Sequence, residues 1–344
     1  MQVFNKNKQQ NDVRLLKDVP ISITFVSNKP AILNYSNGVK GCSGCINCKN
    51  KKCKYFNNEE ISVNNIKDLA FDTNENVCPV NALQIVNGKL CIDNKKCIKC
   101  GLCAKRCPLG AIYFDGQNFN VNYNADNILR TATSNSDIDL HFVQIEKLSK
   151  TIKNGPILIE SDDLLRIIYE SLSKIDSKLH DLLVRNLLIG LGCRVSNRRI
   201  GDVYTRMDAV YSYNNCLGAI EIEFGKDTLD ASRAILDDIA TLNVRYNIGK
   251  SKNYPVVICL QLPNARQGYW QVIKDIKNVE NIKIQTLSIG SLLLLLWNNQ
   301  MCKFDEKPFY LDYDNMSLRE QIEKMLGRKI NISNCFIGIL EPVK

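Results

Sequence analysis

Residues 97–108 read Cys97-Ile98-Lys99-Cys100-Gly101-Leu102-Cys103-Ala104-Lys105-Arg106-Cys107-Pro108, a C-x2-C-x2-C-x3-C-P run. In that spacing three thiolates grip one iron–sulfur cubane, and the fourth, ahead of proline, reaches a second cluster. Zinc also takes C-x2-C pairs. A tetrahedral ion needs four ligands, however, and gives no reason for a third cysteine at x2 followed by Cys-Pro.

Upstream stands a second set, Cys42-x2-Cys45-x2-Cys48, with a detached Cys78-Pro79 that echoes Cys107-Pro108. Cys78-Pro79-Val80-Asn81-Ala82-Leu83 also matches Cys107-Pro108-Leu109-Gly110-Ala111-Ile112, and each is followed by a short apolar strand and a glycine, Gly88 or Gly116. The pattern is an internal repeat.

On these residues, the stretch from about 38 to 120 resembles a bacterial two-[4Fe-4S] ferredoxin domain. The fourth cysteines cross over in that family. The resemblance therefore implies one cluster on Cys97, Cys100, Cys103 and Cys78, and another on Cys42, Cys45, Cys48 and Cys107. One departure is the insertion of roughly thirty residues between Cys48 and Cys78. Within it, Cys53 competes with Cys107 as a fourth ligand. Cys91, between Leu90 and Ile92, reads as a small apolar core residue.

A chain of 344 residues has room for two domains, each with its own core. Ten of the fifteen cysteines precede residue 108, and Cys193, Cys216, Cys259, Cys302 and Cys335 are scattered singly. That asymmetry points to metal ligation in a reducing compartment, not a disulfide framework. Residues 1–20 are polar, with no signal-peptide core, and the run Leu292–Leu296 is too short to span a bilayer. The expectation is a cytoplasmic protein without membrane attachment. Net charge is +9, and residues 38–120 carry twelve Lys/Arg against seven Asp/Glu. Such a surface suits a polyanion, or simply solvates a small domain.

Along the chain, 1–37 reads as a leader with a strand near Ile21–Phe25, 38–120 as the ferredoxin-like unit, 121–155 as a polar linker, and 156–344 as a second domain. Leu164, Ile168, Leu172, Ile175, Leu179, Leu183 and Leu187 predict one long amphipathic helix ending near Gly190 or Gly192. Strands follow at about 203–211 and 217–224, then a helix at 228–246 and a buried strand at 255–260. A helix at 268–278, a strand at 282–287, a short leucine-rich helix, a helix at 317–326 and a strand at 335–340 complete the pattern.

A turn on Asn214-Asn215 sets Asp208 opposite Glu221. Glu221 and Glu223 share one strand face, while Ile220, Ile222 and Phe224 share the other. Facing like charges are destabilising, so the pair needs a cation or raised pKa values; a hard divalent ion held by carboxylates is the natural resolution. A solvated acidic face is the plain alternative.

The order helix, strand with Asp208, strand with Glu221-x-Glu223, helix, buried strand resembles the core of the PD-(D/E)xK nuclease superfamily over roughly residues 160–290. That resemblance implies Mg2+ or Mn2+ on Asp208 and Glu221, polarising a phosphate and lowering the pKa of an attacking water. Glu223 stands where the family usually has Lys, and Lys226 is the candidate replacement cation. Arg194, Arg198, Arg199 and Arg206 are candidates for holding phosphates. There is no G-x4-G-K-[ST] or G-x-G-x-x-G run, and His141 and His180 are not spaced with partners.

The fold class expected is an α+β ferredoxin-like dicluster domain followed by an α/β restriction-endonuclease-like domain with a central mixed sheet. The leading functional expectation is a metal-dependent nuclease acting on nucleic acid, DNA more than RNA, and working as a homodimer. Its rival is an iron–sulfur electron-transfer or redox-sensing protein, with its own redox partner and a non-catalytic DNA-binding or docking domain.

Overall fold

The computed structural model of the chain describes residues 22–25, 59–62, 71–72, 78–86, 89–106, 112–121, 162–191, 193–198, 207–213, 216–225, 228–246, 249, 253–298, 300, 317–333 and 338–343. Cys42, Cys45, Cys48, Cys53, Cys107, Arg199, Arg206 and Lys226 lie outside the described residues, as does the expected linker from 122 to 155.

Strand β1 (Ser22–Phe25) pairs antiparallel with β2 (Glu59–Ser62). The short β3 (Phe71–Asp72) belongs to a different sheet. Two hairpins, β4–β5 (Leu83–Val86 and Lys89–Ile92) and β6–β7 (Ile112–Phe114 and Phe119–Val121), flank helix α1 (Leu102–Arg106). Next come α2 (Asp162–Leu172), α3 (Ser177–Gly190), β8 (Arg194–Arg198), β9 (Ala209–Tyr213), β10 (Cys216–Glu223) and α4 (Leu229–Tyr246). The chain continues through β11 (Val256–Cys259), α5 (Gly268–Glu280), β12 (Gln285–Ser288), α6 (Ile289–Trp297) and α7 (Leu318–Leu326).

Six strands make one mixed sheet in the order β12-β11-β10-β9-β8-β3. β10, β11 and β12 are parallel, so each connection is a crossover, supplied by α4 and α5. β9 runs antiparallel to both of its neighbours, β8 and β10. β11 is buried along its whole length, as a strand covered on both faces must be. α4 buries Ala231, Ile235, Ile239 and Leu242 at helical spacing, and α6 is buried on every side. α7 begins with a capping box, Ser317 with Glu320, and stops at Gly327, whose φ is 67°, a conformation that glycine adopts without a Cβ penalty.

Four local expectations change. The single long helix is two, α2 and α3, with a turn at residues 173–176. Ser171 Oγ donates to the Ile167 carbonyl and Ser173 Oγ to that of Glu170, side-chain bonds that compete with helix continuation. The stretch from Arg194 to Arg198, ahead of the first strand expected in this region, is itself strand β8. Residues 338–341 form a turn, not a strand, with Gly338 at φ 65°. The insertion between the cysteine runs also supplies β3, which extends the C-terminal sheet at its edge through Phe71 opposite Arg198 and Asp72 opposite Asn197.

The two regions share one core. Ile98, Leu102, Ala104, Ile112 and Phe119 belong to the same apolar cluster as Leu187, Leu292 and Trp297, and α1 packs against both α3 and α6. Among the described residues no helix is long and apolar enough to cross a membrane.

Candidate functional site

Cys78 sits at a tight turn, where the Asn81 N–H donates to the Cys78 carbonyl (3.3 Å) and the Ala82 N–H to Cys78 Sγ (3.2 Å). Asn81 takes a φ of 52° there, a left-handed conformation that asparagine tolerates. From Ala82 the chain enters the β4–β5 hairpin, which returns Asp93 to donate its N–H to the Ala82 carbonyl at 2.8 Å. Asp93 then starts the ligand loop, its carbonyl accepting from the Cys97 N–H at 2.9 Å. The Lys99 N–H donates to Cys97 Sγ (3.4 Å), and Lys99 and Gly101 both take positive φ, 60° and 80°.

These turns bring Cys78, Cys97, Cys100 and Cys103 around one cavity, lined further by Val80, Ala82, Ile92, Ile98, Leu102 and Phe119. Cys91 does not border it; it is half-buried on β5. Burial is the main reason the Cys97, Cys100 and Cys103 thiols are pushed above their ordinary range, and the charge of Cys78 adds to it in each case. The Lys99 N–H pulls Cys97 partly back. Four sulfurs in an apolar recess stay deprotonated together only around a group of positive charge. Among the described residues no three Cys, His, Asp or Glu side chains converge as the ligands of a single metal ion must. Four cysteines lining one recess, three of them in a C-x2-C-x2-C run, suit an iron–sulfur group.

A second group of titratable side chains lies on the sheet. The β9–β10 pairing runs from Tyr213 opposite Cys216 to Ala209 opposite Ile220, so Asp208, one residue before β9, falls opposite Glu221. Asp208 Oδ2 accepts from the Ile222 N–H at 3.0 Å, and Oδ1 lies 3.8 Å from Arg198 Nη2. The Arg198 N–H donates to the Asp208 carbonyl at 2.8 Å, continuing the β8–β9 ladder. Burial, then the charges of Asp208, Asp238 and Glu223, push Glu221 up to about 9. Burial raises Asp208 as well, with the Ile222 N–H and Arg198 working against it. Asp181 on α3 is pushed up to about 6 by burial and by Asp208.

Asp181 and Asp238 were not candidates from sequence. Asp238 carried a signal: it lies three residues from Ile235 on the apolar stripe of α4 and is 2% exposed, an unusual place for a carboxylate. Asp181 carried none. Glu170 is exposed on α2, and His180 stacks on Phe224 with ring centroids 4.2 Å apart. Of the four arginines, Arg198 is placed beside Asp208, and Arg199 and Arg206 lie outside the described residues.

The model of the 4Fe-4S binding domain matches residues 90–113. An uncharacterized ferredoxin of Methanocaldococcus jannaschii is 46% identical over 37 residues, 11% of this chain and 24% of that protein. Formate hydrogenlyase subunit 2 of Escherichia coli is 48% identical over 40 residues, 12% of this chain and 20% of the relative. A second uncharacterized ferredoxin of M. jannaschii is 42% identical over 43 residues, 12% of this chain and 26% of that protein. The chain thus spans about a quarter or less of the length of these relatives. No solved structure matches. A 4Fe-4S ferredoxin-type segment is present, joined to an α/β region with a mixed sheet.

Proposed function

We propose that the protein is an iron–sulfur electron-transfer or redox-sensing protein whose sheet region serves as a docking or regulatory part. The observation that carries this reading is the gathering of Cys78, Cys97, Cys100 and Cys103 around one apolar cavity. A [4Fe-4S] cluster bound there supplies storage of one electron at a time. The chain's own residues set the conditions. The Ala82 and Lys99 N–H groups donate to Cys78 and Cys97 sulfurs and spread their negative charge, which eases acceptance of an electron. Ile98, Leu102 and Phe119 are buried beside the sulfurs and keep water away. A second cluster on Cys42, Cys45, Cys48 and Cys107 completes the reading. The test is anaerobic purification, iron and sulfide analysis, and dithionite reduction followed by electron paramagnetic resonance. Reversible one-electron reduction is expected; a chain that takes up neither iron nor sulfide rules the reading out.

A second reading, a nuclease using Mg2+ or Mn2+ on Asp208 and Glu221 with Glu223 and Lys226 assisting, is favoured by the facing carboxyls of β9 and β10 and by their raised affinity for protons. DNA would be its substrate and a homodimer its working form. Plasmid and single-stranded DNA incubated with either metal decide it. Cleavage by the wild type that disappears in Asp208→Ala supports the nuclease, and cleavage unaffected by the substitution, or absent from both proteins, removes it.

A further inference from the structure

The carbonyl of Cys100 accepts a hydrogen bond from the indole Nε1–H of Trp297 at 2.9 Å, across 197 positions of sequence. Trp297 is the last residue of α6 and fully buried. An indole nitrogen has one proton to donate, and here it goes to the main chain of the cysteine loop. The peptide it meets is an unusual one. Cys100 stands between Lys99 and Gly101, both at positive φ, and a side-chain-bearing residue such as Lys99 adopts that conformation at a cost of about 1 kcal/mol or more unless its surroundings hold it. The surroundings come from outside the loop: α1 packs on α3 and α6, and Leu102 is 0% exposed between them.

We propose that Trp297 is a positioning residue for the cluster-binding loop: its indole N–H, fixed in the sheet region, holds the Cys100–Gly101 peptide so that Cys97, Cys100 and Cys103 face one cavity. The proposal rests on the reading that these cysteines, with Cys78, hold a [4Fe-4S] cluster. It makes retention of the cluster depend on the C-terminal end of α6, and it makes the order of that helix end depend on the cluster.

Trp270, the other tryptophan of the chain, is a matched control. It is also buried, and its Nε1–H also donates to a main-chain carbonyl, that of Pro263 at 3.1 Å, yet that carbonyl belongs to no residue lining the cavity, whereas Cys100 lines it. Trp297→Phe and Trp270→Phe, each in the full chain and assembled anaerobically, are compared with the wild type for iron and sulfide content, resonance line shape after reduction, and the rate of bleaching in air. Leaving a buried carbonyl unpaired should make Trp297→Phe bleach about tenfold faster, with an altered line shape, while Trp270→Phe follows the wild type. Equal bleaching and equal spectra in Trp297→Phe and the wild type overturn the proposal. So does a matching change in both variants, which would mark general loosening of the core.

Should Trp297→Phe fail to fold, amide exchange of residues 289–298 in the wild type, with the cluster in place and after chelation, gives the answer. Faster exchange after chelation supports the proposal, and unchanged exchange overturns it. A wild type that binds neither iron nor sulfide fails on the cluster reading itself, and Trp297 is then a packing residue only.

Discussion

Around the cysteine cavity, acidic groups are supplied by a short stretch of chain plus Cys78; around β9 and β10 they come from α3, the approach to β9, β10 and α4. Both regions gather groups whose charged forms repel, and burial raises the proton affinity of both. They differ in compensation. Asp208 has an arginine and a main-chain N–H beside it, so the carboxylates are partly balanced by the protein itself. The cysteines have main-chain N–H donors at all four sulfurs, from Ala82, Lys99, Leu102 and Ala104. Among the described residues no cationic side chain is paired with them in the way Arg198 is paired with Asp208, and the remaining balancing charge is that of an iron–sulfur group. One region is built around a guest, and the other can stand as a protonated network without one.

The largest expected effect separates the two directly. Cys100→Ala should abolish iron and sulfide at this site and the visible absorbance that goes with them. If the substitution also changes exchange at β9 and β10 amides, the regions are coupled; if it leaves them untouched, the contrast sharpens into independence. Next in size is Leu102→Ala, where a 0% exposed side chain in the shared core should cost about 2–5 kcal/mol in chemical denaturation. The loaded protein should unfold in a single transition, and two well-separated transitions would mean that the common core does not act as one unit.

Glu221→Gln is expected to be smaller and opposite in sign. The folded carboxyl holds its proton up to about 9, against an ordinary value of 4.5, so the folded state binds the extra proton between those values. The stability linked to that proton is fully present below 4.5 and is lost as pH rises through about 9. The wild type should therefore weaken across that window and the Gln variant should lose that slope, gaining about 2 kcal/mol near pH 8. A slope unchanged by the substitution would show that Glu221 is not strained. If Mg2+ stabilises the wild type at pH 8 and not the Gln variant, the carboxylate region also accepts a guest and the contrast with the cysteines breaks. The smallest effect is Ser317→Ala, which removes one half of the α7 capping box and should cost about 1 kcal/mol without changing iron content or the pH slope.

Elements that rest on adjacent residues were legible. The helix expected at 317–326 is α7, stopped by Gly327, and Asn214-Asn215 fixed a hairpin register that the strands follow from Tyr213 to Ala209. A two-residue turn leaves no freedom in pairing. Misread elements are those in which a local rule lost to a distant partner or a competing bond. The apolar stripe ran unbroken through residues 173–176, where serine hydroxyls help end α2. The arginines of β8 disguised a strand whose Val195 is buried between them. Nothing in Phe71-Asp72 announced an edge strand, because its pairing partner is Arg198-Asn197, more than a hundred residues away.

The sequence by itself determined the identity of the cysteine ligand candidates and the alternation of helices and strands in the C-terminal region with its β9–β10 hairpin, since thiolate spacing and hydrophobic period act over a few residues. The grouping of Cys78 with the run from Cys97 to Cys103 was implied by the ferredoxin resemblance, and the structure places those four around one cavity; only the tertiary structure decided that Asp181 and Asp238 stand near Asp208 and Glu221 and that Trp297 closes on Cys100. Each of these is a meeting of distant segments, where burial strengthens an electrostatic or hydrogen-bonding partnership that no local pattern encodes.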